Sequence, residues 1–206
     1  MHRYDAVVFD LLTALLDSWT LWNGVAGSPE DGLRWRRRYL DITYGCGAYR
    51  PYEALVREAA ADAGLPAGCA DALDRRWAEL APWPEAPAVL AELAARVPLA
   101  VVTNCSERLG RAAARRAGNV FQAVVTAESA GYYKPRPEPY RAALRALDVR
   151  PERTLFVAGS AADVPGAHGV GMPVYWHNRI GLPARDGSVP ELSAASLHGL
   201  LDVVPA

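Results

Sequence analysis

Five short apolar runs constrain this chain more than any other feature. They are Ala6-Val-Val-Phe-Asp10, Leu99-Ala-Val-Val-Thr103, Ala123-Val-Val-Thr126, Thr154-Leu-Phe-Val-Ala158 and Met172-Pro-Val-Tyr-Trp176. Each is too short for a helix and is apolar throughout rather than alternating, which is the pattern of a strand covered on both faces. Helical patterns lie between and after them, at roughly 86–96, 106–117, 137–147, 161–169 and 194–203. Strands alternating with helices predict an α/β fold: a three-layer, Rossmann-like parallel sheet.

The spacing of the runs is uneven. Nothing from Ala14 to Trp83 reads as a buried strand. That stretch is rich in helix formers, Trp, Tyr and Arg, with breaks at Gly24–Pro29, Gly45–Gly47, Gly64–Gly68 and Pro82–Pro84. The expected organisation is a core of residues 1–13 and 84–206, with an α-helical cap, residues 14–83, inserted after the first strand. A length of 206 residues suits one domain carrying such an insert.

In open parallel sheets, ligands bind beyond the carboxyl ends of the strands. The informative residues are therefore Asp10, Thr103 with Asn104, Lys134, and Gly159-Ser160 with Asp163. Lys134 is the only lysine, in a chain where lysine and arginine total 22. It presents a compact point charge where every other fixed cation is a planar fork. An acid, a hydroxyl with an amide, a cation and a second acid gathered at four strand ends make a candidate active site.

Composition narrows the partners. A formal charge of −1 leaves no electrostatic footprint for nucleic acid or an acidic membrane. No apolar stretch is long enough to span a bilayer. The chain runs almost directly into its first strand, without a charged leader and cleavage site, so secretion is not expected. Cys46, Cys69 and Cys105 are odd in number and widely spaced, as expected for reduced thiols in the cytoplasm.

The four segments resemble the ordered motifs of the haloacid dehalogenase superfamily. Phe9-Asp10-Leu-Leu-Thr-Ala-Leu15 looks like its nucleophile loop, and Val102-Thr103-Asn104 like its second motif. Tyr133-Lys134-Pro135 resembles the third and Val157-Ala-Gly-Ser-Ala-Ala-Asp163 the fourth. Within the superfamily the chain is most similar to the (S)-2-haloacid dehalogenases. Trp35-Arg36 followed by Leu40-Asp-Ile-Thr43 is similar to a cap helix with a substrate-facing arginine. Tyr140 falls where that subfamily has an active-site tyrosine, and Trp176-His-Asn-Arg179 is similar to its Trp-x-Asn-Arg segment.

The resemblance implies Asp10 as nucleophile, splitting one displacement into ester formation and ester hydrolysis. Lys134 would keep Asp10 ionised. Asp163 would hold Lys134 or help to activate water. Thr103 and Asn104 precede a helix whose first N–H groups suit a substrate anion, with ordinary N-capping as their other role. Arg36 would stabilise a departing halide or a bound carboxylate. Trp35, Tyr140, Leu12 and Ser160 complete the expected substrate contacts. The resemblance also implies a homodimer.

Three activities stay open. Phosphatases of the superfamily carry a second acid where Leu12 stands and a magnesium-binding carboxylate where Gly159 stands. A magnesium-dependent phosphatase would need Asp163 as a replacement ligand. Phosphonate cleavage needs a cap lysine, and the cap segment has none. Displacement of halide from a short 2-haloacid needs no cofactor and no metal, and is the expectation adopted here. The chain departs from the dehalogenase pattern in having Leu12 for Tyr, Thr13-Ala14 for Gly-Thr, Ala158 for Ser and Ser160 for Asn. A degenerate member that binds a small carboxylate without turnover is the third alternative.

Overall fold

The computed structural model describes residues 4–184 and 189–204. The chain begins with β1 (Ala6–Asp10) and continues through α1 (Ser18–Ala26), α2 (Pro29–Gly45), α3 (Tyr52–Asp62) and α4 (Cys69–Arg75). Next come α5 (Ala86–Ala94), β2 (Leu99–Thr103), α6 (Glu107–Ala117), β3 (Ala123–Thr126), α7 (Ala127–Ala130) and α8 (Pro137–Leu147). It closes with β4 (Thr154–Ala158), α9 (Asp163–His168), β5 (Val174–His177), β6 (Leu192–Ala194) and α10 (Leu200–Val203).

The six strands form one sheet in the order β3-β2-β1-β4-β5-β6, and every pairing is parallel. All five residues of β1 are buried between β2 and β4. The chain passes from β1 to β2 on one side and reaches β4 on the other. The crevice at such a reversal lies at the carboxyl end of β1, which places Asp10 where a ligand would sit.

Alternation along the central strands separates two apolar faces. Val7, Phe9, Val101 and Val157 pack with Leu90 and Leu93 of α5 and Leu109 of α6. Val8, Val102 and Phe156 face the other way, against Tyr140 and Leu144 of α8 and Val164 of α9. Helices are sharply bounded. Ser28 caps α2 by accepting from Asp31 N, with Pro29 in the first turn. Helix α8 starts at Pro137 and stops at Asp148, whose φ of 52° lies in the left-handed region.

Helices α1–α4 lie between two closely spaced passages of the chain. Leu16 and Pro82 form an antiparallel bridge, Asp17 N donates to Ala81 O at 2.8 Å, and Trp83 N donates to Leu15 O at 3.0 Å. A second attachment stands away from that hinge. There Ala48 bridges Tyr132, Tyr49 N donates to Gly131 O at 2.7 Å, and Tyr133 Oη donates to Arg50 O at 2.8 Å. Trp22, Trp35, Tyr39 and Tyr52 join the same apolar cluster as Phe9, so the helical layer and one face of the sheet share a continuous interior.

Two elements differ from expectation. The fifth strand begins at Val174 rather than Met172, because Pro173 has no N–H to donate; its carbonyl accepts from Phe156 N at 2.8 Å. A sixth strand, Leu192–Ala194, ends where a helix was expected, and that helix shrinks to Leu200–Val203. Among the described residues no helix is long and apolar enough to cross a membrane. Cys46, Cys69 and Cys105 are free thiols.

Candidate active site

Asp10 closes β1 and is 6% exposed. Its two carboxylate oxygens have different surroundings. Oδ2 accepts from Thr13 N at 3.1 Å, Thr13 Oγ1 at 2.7 Å and Ala14 N at 3.1 Å. Oδ1 accepts from Lys134 Nζ at 2.7 Å. The loop turns its N–H groups inward because its carbonyls are engaged elsewhere. Leu12 O accepts from Ser18 Oγ, Thr13 O from Trp83 Nε1 at 3.0 Å, and Ala14 O lies 2.8 Å from His177 Nδ1.

Lys134 spans both acids: Nζ also reaches Asp163 Oδ2 at 3.0 Å, and Tyr140 Oη donates to Asp163 Oδ1 at 3.0 Å. The Lys134 backbone is clamped by Asn104, which accepts from Lys134 N at 2.7 Å and donates to Lys134 O at 3.1 Å. Burial alone would push Asp10 up, but the Lys134 ammonium and the Thr13 donors hold it below the usual carboxylate range. Asp163 is pushed up to about 6, first by burial and then by the charge of Asp10, with Lys134 opposing. Burial disfavours the Lys134 charge, yet the two carboxylates outweigh it and hold the ammonium above its ordinary value.

Arg36 descends from α2 and is 7% exposed. Its Nη2 donates to Ser18 Oγ at 2.6 Å, and its guanidinium lies over Trp19 at 4.1 Å and Trp22 at 5.2 Å. Burial pulls its pKa down to about 10, partly offset by Tyr52 and Asp10. Asp10, Lys134 and Arg36 line one cavity of about 80 Å³, walled by Leu12, Trp19, Trp22, Leu40 and Tyr44. Arg36 Nη1, Tyr52 Oη and Thr103 Oγ1 belong to residues lining it and are buried without a hydrogen-bond partner. An orphaned buried donor is costly, and an anionic ligand reaching Arg36 Nη1 would satisfy it.

Several expected contacts are rearranged. Leu12, Ser160, Thr103 and Asn104 do line the cavity. Trp35 does not: its Nε1 donates to Val56 O at 2.9 Å and its ring packs on Trp22, inside the helical layer. Tyr140 stands behind the charged pair, against Phe156, where it bonds Asp163 rather than a substrate. Thr103 and Asn104 do not cap the following helix. Ser106 does so, accepting from Leu109 N. The anion site expected there is also filled, because Glu128 accepts from Glu107 N at 2.6 Å. Sequence reasoning missed Thr13, Ser18 and Trp19. The hydroxyl at Thr13 was visible as a displaced partner for the Thr absent at position 14, but the direction of its side chain was not.

The donor set does not fit magnesium. Both oxygens of Asp10 and both of Asp163 are already engaged. A Cβ at Gly159 would lie 2.3 Å from Ala14 N and 2.4 Å from Thr13 Oγ1, so the loop fills the space a third carboxylate would need. Among the described residues no group of three His, Cys, Asp or Glu is arranged to hold a metal ion.

A sheet reversal presenting a buried Asp–Lys–Asp set beneath a helical layer defines a class of hydrolase. The family model for haloacid dehalogenase-like hydrolases matches residues 4–171, and the chain belongs to that family. (S)-2-haloacid dehalogenase 1 of Pseudomonas sp. strain CBS-3 is 30% identical over 209 positions, covering 93% of this chain and 92% of that one. The (S)-2-haloacid dehalogenase of Xanthobacter autotrophicus is also 30% identical, over 82% of this chain and 73% of that one. A crystal structure of a dehalogenase with an intermediate complex superposes with a TM-score of 0.88 at 25% identity, covering 100% and 99% of the two chains. The Xanthobacter autotrophicus L-2-haloacid dehalogenase with chloropropionic acid covalently bound has the same fold, with a TM-score of 0.86 at 24% identity and 98% coverage of each chain.

Proposed function

We propose that this protein hydrolyses a short 2-haloacid, without a metal, through an ester on Asp10. The observation that carries the reading is the ionised Asp10, held by Lys134 in a small apolar cavity also lined by Arg36, whose Nη1 is buried and unpartnered. At about 10–15 Å³ per water-sized group, a cavity of 80 Å³ admits about five to eight such groups. That is the size of a haloacetate or 2-halopropionate. The two relatives bearing 2-haloacid dehalogenase names over most of their length support the same substrate class.

Oδ1 of Asp10 is the attacking oxygen, because Lys134 alone bonds it, whereas Oδ2 carries three donors. It bonds to the halogen-bearing carbon from the side opposite the halogen. The halide leaves with the bonding electron pair, its charge met by Arg36. Thr103 and Tyr52, which line the same cavity, offer their hydroxyls to the substrate carboxylate. A dry cavity leaves the nucleophile without competing bulk water.

Water then adds to Cγ of Asp10. Charge develops on Oδ2, where the Thr13 and Ala14 N–H groups and the Thr13 hydroxyl already point. The ester C–O bond at Cγ breaks, the hydroxy acid departs with a proton from water, and Asp10 is restored. The remaining proton passes to Asp163 and on to solvent. Esterification removes the negative charge of Asp10, leaving Lys134 to balance Asp163 alone, which favours the ionised base this step needs. Free thiols support placing the protein in a reducing compartment such as the cytoplasm.

The test is halide release from a panel of 2-haloacids with and without EDTA, with mass spectrometry after a single turnover in ¹⁸O-water. One ¹⁸O entering Asp10 and activity indifferent to EDTA are expected. No halide release by wild type, or equal release by Asp10→Ala, would remove the proposal.

A further inference from the structure

Ser18 is fully buried, is the first residue of α1, and touches both Arg36 and the loop that follows Asp10. Its single hydroxyl proton goes to Leu12 O, so its oxygen can only accept from Arg36 Nη2. The Leu12 carbonyl shares a peptide unit with the Thr13 N–H, which donates to Asp10 Oδ2 at 3.1 Å. A continuous directional path therefore runs from the cap guanidinium, through the Ser18 hydroxyl and one peptide unit, to the carboxylate. Hydrogen bonds in such a series polarise one another.

The same helix supplies the second constraint. Trp19, adjacent in sequence, presents its ring face to the guanidinium at 4.1 Å. A guanidinium is a rigid planar fork, so fixing its plane on a ring and one edge on a hydroxyl leaves the other edge a single direction. That other edge is Nη1, buried and unpartnered on a cavity-lining residue. Among the described residues no carboxylate is hydrogen-bonded to Arg36, so an arriving anion meets a charge that is already oriented and buried.

We propose that Ser18 is a positioning residue that orients Arg36 toward the departing group and ties that orientation to the Asp10 loop. This rests on the dehalogenase reading for its kinetic consequence, and on the hydrogen-bond path alone for its binding consequence. Chloride is the poorer leaving group, so its loss depends more on a well-aimed cation than the loss of bromide does.

The experiment compares wild type with Ser18→Ala in two ways. Bromide affinity is measured by titration calorimetry, which needs no turnover, and kcat is measured for paired 2-chloro and 2-bromo acids. The expected result is about tenfold weaker bromide binding, and a kcat loss at least threefold larger for the chloro than for the bromo substrate. Unchanged bromide affinity, or equal losses for the two halogens, overturns the assignment, because a merely structural serine would slow both alike. Should Ser18→Ala fail to fold, Ser18→Cys keeps the volume while weakening both bonds, and the same two readouts decide. Wild type that binds bromide yet releases no halide would sink the reaction but not this path. Normal halide release with Ser18→Ala unaltered would sink the path alone.

Discussion

Replacing Lys134 with methionine removes an ammonium that sits 2.7 Å from Asp10 and 3.0 Å from Asp163, in a site where all three side chains are less than a tenth exposed. The variant faces two adjacent buried carboxylates with nothing between them. Breaking a buried ion pair from one side costs about 3–5 kcal/mol. The protein has one way to relieve this, which is to bind a proton. Asp163 already stands near 6 with the lysine in place, and without it both carboxyl pKa values rise. Protonating a carboxyl costs about 1.4 kcal/mol for each pH unit by which the solution lies above its pKa. A deficit of about 3 kcal/mol is therefore expected at pH 7, the low end of that range.

The sign follows from linkage. A carboxyl whose folded pKa is raised above its unfolded value favours the folded state at low pH, and that advantage is lost as pH rises through the folded value. The deficit of Lys134→Met relative to wild type should be smallest near pH 5 and should grow towards pH 8. Urea unfolding at pH 5, 6, 7 and 8 measures it directly. A deficit below about 1 kcal/mol at pH 7, or one that stays constant across the series, would refute the charge assignment. The variant should also form the Asp10 ester far more slowly, since its nucleophile has lost the cation that holds it ionised.

Ester hydrolysis in the wild type should fall only at a pH below the value of about 6 that Asp163 has beside an ionised Asp10, because the ester no longer carries that charge; single-turnover rates across pH 4–8 test this. Tyr140→Phe removes a donor to the ionised form of Asp163 and should move that acidic limb to higher pH, and an unmoved limb would show that Asp163 is not the titrating group. Thr13→Val keeps the volume but removes one of three donors on Asp10 Oδ2. It should slow ester hydrolysis about a hundredfold and let the ester accumulate, visible as a persistent mass adduct. Gly159→Asp, which would recreate a phosphatase-like acid, should lower the thermal midpoint by several degrees without magnesium-stimulated phosphatase activity, because its Cβ meets the nucleophile loop at 2.3 Å.

What could be read along the chain was whatever depends on local pattern. Buried parallel strands have no solvent face, so β1, β2 and β4 stand out as uninterrupted apolar runs, and the polar residues at or after their ends mark the crevice. Strand β6 lacked that signal: it has three residues, is largely exposed, and pairs along one side only. The cap of α6 was misplaced because Thr103, Asn104 and Ser106 are all competent capping types, and only backbone geometry selects Ser106. Trp35 and Arg36 are neighbours in sequence but point to different places on α2. One fills the helical layer and the other reaches the cavity.

The sequence alone determined the α/β alternation, the long helical interruption after β1, and the residue types available at the strand ends, because backbone propensity and hydrophobic period act over a few residues. Tertiary structure decided everything that requires distance. It brought Lys134 to Asp10 across 124 positions, placed Tyr140 behind Asp163 rather than beside a substrate, and closed Gly159 against the Asp10 loop. It also joined Arg36 to that loop through Ser18. Side-chain direction and the identity of a hydrogen-bond partner are settled by packing between segments far apart in the chain, and no local pattern encodes them.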